Sequence, residues 1–89
     1  MKKFHHLFWD DNNIAHIARH NGTADEVEQA VFAPRTRLRK GRGLEIYYLF
    51  GRTEEGRYLF IVLLEIGKYY ARVITARDMS QREKKWYRS

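Results

Sequence analysis

Residues 44–78 constrain the fold most, because they read as three consecutive strands joined by turns too short for anything but antiparallel hairpins. The segments are LEIYYLFGRT (44–53), RYLFIVLLEI (57–66) and YYARVITARD (69–78), each rich in β-branched and aromatic residues. Gly67-Lys68 suits a two-residue turn with glycine first. That turn would set Ile66 opposite Tyr69, Val62 opposite Val73 and Tyr58 opposite Arg77. Glu54-Glu55-Gly56 suits a three-residue loop with a left-handed Gly56, which sets Arg52 opposite Tyr58. The two registers together line up Arg52, Tyr58 and Arg77 on one face, the main candidate site, and put Arg72 opposite Leu63 on the other face.

The middle segment is apolar at both parities, so both of its faces should be covered. Upstream, Lys3 to Trp9 alternates loosely and predicts a short first strand with Phe4, His6 and Phe8 on one side. Asp10 or Asp11 caps a helix in which Ile14, Ile17, Ala18 and Asn21 share one face and Asn13, His16 and His20 another, with Gly22 as the left-handed exit. Thr23 and Glu26 form a capping box for a second helix, residues 24–32, that buries Val27, Ala30 and Val31 before Pro34. RTRLRKGRG (35–43) is almost devoid of apolar residues and is expected as a mobile loop. Ser80 and Glu83 box a final basic helix anchored by Trp86 and Tyr87. The expected architecture is one α+β domain over residues 1–89. It has a small, mostly antiparallel four-stranded sheet, an N-terminal helical hairpin and a short C-terminal helix.

Composition narrows the chemistry. The 89 residues include no cysteine, which excludes disulfides, thiol nucleophiles and cysteine metal sites. The longest apolar run, Tyr58 to Leu64, is too short for a bilayer, and the N-terminus has no signal-peptide pattern; a cytoplasmic protein with no membrane partner is expected. Net charge +6 favours a polyanionic partner. His16 and His20 stand one helical turn apart, but Ile17 sits where a metalloprotease would carry glutamate and Arg19 adds positive charge. A solvated helix face, with no metal, is the better reading. The two short helices could mimic a DNA-reading helix-turn-helix, yet the second carries Asp25, Glu26 and Glu28 and would be repelled by phosphate.

The densest positive charge, Arg35, Arg37, Arg39, Lys40 and Arg42, suits a phosphate backbone. In the arginine row, Arg52 and Arg77 could fork around a scissile phosphate with Tyr58 as proton donor or positioning group, and Arg72 could add a phosphate contact. The duller alternative is structural pairing with Asp78, Glu54 or Glu55. Glu45, His5 and His6 are the remaining acid or base candidates.

The pattern FWDxxNxxHIARH, an EVE helix, GRTEEGRYLFIV and ARVITARDMSxxEKxxY resembles the BrnT family, the toxin half of a bacterial type II toxin-antitoxin pair. Its most specific parts are Trp9-Asp10, Gly51-Arg52 and Arg72 to Arg77 followed by Ser80, Glu83 and Tyr87. The resemblance implies a RelE-like fold and metal-independent RNA cleavage that stalls translation, with no cofactor. It also implies neutralisation by a cognate ribbon-helix-helix antitoxin, and matches Arg52, Arg72 and Arg77 to the family's basic positions. The sequence departs from the family at RTRLRKGRG, where many relatives carry an acidic, histidine-containing loop. The competing reading is a non-catalytic basic module, a divergent relative that binds nucleic acid or an acidic protein.

Overall fold

A computed structural model describes residues 2–89. Its elements run β1 (His6–Phe8), α1 (Asp11–Ala18), α2 (Ala24–Val31), β2 (Arg37–Lys40), β3 (Ile46–Arg52), β4 (Tyr58–Gly67), β5 (Tyr70–Asp78) and α3 (Gln81–Arg88). The strands form one five-stranded sheet in the order β1-β5-β4-β3-β2, with β1 parallel to β5 and every other pair antiparallel. The fifth strand is β2, which replaces the mobile loop expected at 35–43: its arginines sit at alternate positions and Leu38 supplies the inward side chain.

The β3–β4 hairpin follows its turn residues. Gly56 adopts φ +96°, Thr53 N–H donates to Arg57 O (2.9 Å), and Arg52 lies opposite Tyr58 as expected. The β4–β5 hairpin does not. Its turn is Lys68-Tyr69, with Tyr69 rather than Gly67 in the left-handed region (φ +63°), and Gly67 pairs with Tyr70. Ile66 is skipped in the ladder, and a second irregularity at Ile74 adds an extra residue to β5. Arg77 therefore faces Phe60, two positions from the expected Tyr58, whose carbonyl instead accepts from Met79 N–H (3.0 Å). The extra residue also corrects the placement of Arg72. Ala71, Val73 and Ala76 all turn inward, so Arg72 lies opposite Leu64 and shares the outer face with Arg77.

The inner face of the sheet carries the main core. Leu59, Ile61 and Leu63 of β4 are essentially inaccessible and meet Ile17 of α1 and Val27, Ala30 and Val31 of α2. The two helices do not pair as a closed hairpin; α1 packs chiefly on β5 and α2 on β3 and β4, because their apolar stripes face the sheet. The α1 exit also departs from expectation, since Asn21, not Gly22, takes the left-handed conformation (φ +61°). Asn13, expected on a solvated face, is buried: its amide donates to Phe8 O (2.8 Å) and Val73 O (3.1 Å), tying α1 to both β1 and β5. In β1 the N–H groups of His5 and His6 both donate to Tyr69 O. That doubling breaks the alternation, so Phe4, Leu7 and Trp9, not Phe4, His6 and Phe8, turn toward the core.

Arg57 closes the hairpin end of the sheet. Its guanidinium donates to Asp78 (2.7 Å), Glu26 (3.0 Å) and the carbonyls of His20 (2.9 Å) and Asn21 (2.7 Å), which ties the entry of β4 to the loop that follows α1. At Gly51, α2 comes so near that an added Cβ would lie 2.3 Å from Ala30 O, a backbone atom that cannot rotate away. Gly51→Ala is therefore expected to cost roughly 3 kcal/mol or more, read as a lower urea midpoint at unchanged slope.

Candidate active site

The outer face of the sheet is covered at one end by α3. Ser80 caps that helix and Glu83 completes the box, as the sequence indicated. Tyr87 is buried with Phe50 and Met79 in a second, smaller core flanked by Tyr48, Tyr58, Phe60 and Trp86. The Tyr87 hydroxyl donates to Arg35 O (2.5 Å), fixing the segment before β2 against the helix. Between these pieces lies an open cleft of about 680 Å³ lined by Pro34, Arg35, Arg52, Glu54, Tyr58 and Arg88, among others.

Two of the three row residues meet in this cleft. Arg52 is exposed and lies over the Tyr58 ring, 5.2 Å from its centroid, and among the described residues no carboxylate or carbonyl accepts from it. Arg88 (5.6 Å) and Lys84 (5.8 Å) approach the same ring from α3. Three cations around one tyrosine, with Glu54 on the rim, make a site that attracts a multiply charged anion. The sequence reading passed over Lys84 and Arg88. Their i, i+4 spacing, which places both on one helical face, was the available signal.

Arg77 occupies the same face but is committed elsewhere. Its guanidinium sits 4.2 Å over Phe60 and donates to both carboxylate oxygens of Glu83 (2.8 and 3.0 Å) and to Asp78 O (2.9 Å). Those hydrogen bonds raise the Arg77 pKa and hold Glu83 below its ordinary value. Arg72 is likewise engaged, in a forked pair with Asp10 (2.7 and 3.2 Å), the cap of α1; the contact depresses Asp10. Asp78 serves Arg57, not the row, and is depressed by it.

The cations of residues 35–42 divide. Arg35 lines the cleft; Arg37 and Arg39 flank Trp86 at 4.6 and 5.4 Å on the α3 face. Lys40 points the other way, over Tyr47, and donates to Gly43 O; Arg42 lies in the following bend. The acid–base candidates are remote. His5 stacks on Tyr69, His6 edges Tyr70, and Glu45 precedes β3, all at the end of the sheet opposite Arg52, roughly 20 Å away. No group of three potential metal ligands occurs among the described residues. Nor is any helix long and apolar enough to cross a membrane.

A protein-family model described as "Ribonuclease toxin, BrnT, of type II toxin-antitoxin system" matches residues 8–83. The chain belongs to the BrnT family. Its fold is similar to the crystal structure of the Brucella abortus ribonuclease toxin BrnT at 19% identity, with a TM-score of 0.66 over 85% of this chain and 97% of that one. No curated protein matched. Membership of the BrnT family implies an antitoxin partner and an RNA target.

The ion pair at Glu83 makes an acid-sensitive prediction. A depressed carboxylate stabilises the fold above its unfolded pKa and loses that contribution as pH falls through its folded value. Glu83→Gln should be less stable than the parent at pH 7, and the gap should narrow as pH drops well below 4.5, the ordinary value for glutamate. Urea unfolding at pH 7 and pH 3 measures both.

Proposed function

We propose that this chain is a cytoplasmic endoribonuclease toxin that cleaves RNA without a metal, arrests translation, and is neutralised by a cognate ribbon-helix-helix antitoxin. The reading is carried by the Arg52 guanidinium, which has no acceptor among the described residues and lies over Tyr58 with Arg88 and Lys84 around the same ring, beside an open cleft. In the reaction the RNA 2′-hydroxyl attacks the adjacent phosphorus, the P–O5′ bond breaks, and a cyclic phosphate and a free 5′-hydroxyl form. Arg52 and Arg88 stabilise the charge that grows on the phosphate oxygens. Glu54, the carboxylate on the cleft rim, takes the 2′-hydroxyl proton in place of the distant histidines, and Tyr58 orients the phosphate or protonates the leaving oxygen. Arg77 acts through Glu83 as a positioning residue for α3. Arg35, Arg37 and Arg39 continue the basic track along the strand beyond the cleft, while Lys40, Arg42 and Arg72 lie off it.

The second reading, a binding module without catalysis, draws on the closure of Arg77 onto Glu83 and of Arg72 onto Asp10. Expression without antitoxin and incubation of purified protein with RNA in EDTA decide between them. On the catalytic reading growth stops and RNA is cut despite the chelator. Arg52→Ala then lowers cleavage roughly 100-fold or more at unchanged urea midpoint, whereas Arg77→Ala lowers both. Salt-sensitive RNA binding with no cleavage establishes the binding module instead.

A further inference from the structure

The sheet ends at β2, whose outer edge pairs with no strand among the described residues. Gly41 N–H donates to Ile46 O (2.8 Å), and the period of an antiparallel ladder then turns the main chain of Arg39 and Arg37 inward and that of Leu38 and Lys40 outward. Beside this edge, on the inner face, opens a groove of about 820 Å³ whose floor includes Phe4, Val31, Phe32, Leu38 and Leu49, with Lys3 at its rim. Phe32 is 44% exposed there. On the opposite face of the same edge stand Arg37 and Arg39 beside Trp86.

A strand laid along β2 would alternate its side chains between these two environments. One set would drop into the apolar groove and the other would meet the arginines. We infer that β2 takes up an extended segment of the antitoxin with alternating apolar and acidic residues, added as a sixth strand; the identity of the partner rests on the toxin reading. The charge on the edge favours this occupant over the alternatives. A second copy of the chain would bring Arg37, Arg39 and Lys40 against their own equivalents, which like charge opposes. RNA would meet the arginines but has neither apolar side chains for the groove nor a main chain to match the free N–H and C=O of Leu38.

The test uses isotope-labelled full chain and a capped octapeptide of alternating valine and glutamate, followed by amide spectra and hydrogen exchange up to millimolar peptide. The expected result is saturable binding with new protection at the Leu38 and Lys40 amides. Leu38→Pro removes an outward donor while proline remains tolerated on an edge strand, so binding should weaken about tenfold or more. RNA cleavage should not change. If that variant fails to fold, Leu38→Lys, which keeps the main chain and charges the groove, should give the same loss.

No binding overturns the inference. So does equal binding of a block peptide of four glutamates followed by four valines, protection elsewhere, or protection of the same two amides by an RNA oligonucleotide. Cleavage assays on the same samples keep the two proposals apart: edge binding without cleavage removes the ribonuclease reading alone, and cleavage without edge binding removes the docking surface alone.

Discussion

The candidate site exists because α3 is fastened to the outer face of the sheet at two points. Near its start, Glu83 takes both arms of Arg77; one turn on, Tyr87 is buried beside Phe50 and bonds to Arg35 O. Mean burial alone would hold such a helix poorly, since it is basic and only Trp86 and Tyr87 are large apolar anchors. The fork from Arg77 is geometrically demanding, so it fixes the helix in rotation as well as position. That rotation is what brings Lys84 and Arg88 over the Tyr58 ring and closes one wall of the cleft.

The arginines thus divide into two populations that composition cannot distinguish. Arg57, Arg72 and Arg77 each donate to two or more acceptor oxygens, a carboxylate among them, and each joins two segments distant in sequence or secures a helix end. Their charges are spent on the fold. Arg35, Arg39 and Arg52 have no carboxylate partner among the described residues, and Arg35 and Arg52 face one cleft. An anion arriving there displaces only water, whereas at Arg77 it would have to displace Glu83, with the penalty of stranding that carboxylate. The site consequently gathers at Arg52 and Tyr58, one end of the row that turn geometry alone suggested.

Legibility in the sequence followed how locally each feature is determined. The three capping boxes or caps and the β3–β4 register lie within a few residues of their cause, Asp10, Thr23, Ser80 and Gly56, and these were readable. The β4–β5 register was not, because Tyr69 adopts a left-handed turn position that would ordinarily be assigned to the neighbouring Gly67. The bulge at Ile74 has no local signature either: Ile is as good a strand residue as Val73 or Thr75, and only inward packing of Ala71, Val73 and Ala76 reveals the extra residue. Parallel pairing of β1 with β5 has no turn to announce it, and β2 hides its alternation behind cations on both faces.

The same nonlocal bulge bears on the chemistry. Without it, strict alternation over the five positions separating Arg72 from Arg77 would send one guanidinium into the helical core, where Val73 and Ala71 now pack against α1 and β1. With it, both arginines remain outside, one free to cap α1 through Asp10 and the other to hold α3 through Glu83. A single inserted residue in β5 therefore lets one strand anchor two helices that lie on opposite faces of the sheet. The cleft between α3 and the β3–β4 turn inherits its shape from that arrangement.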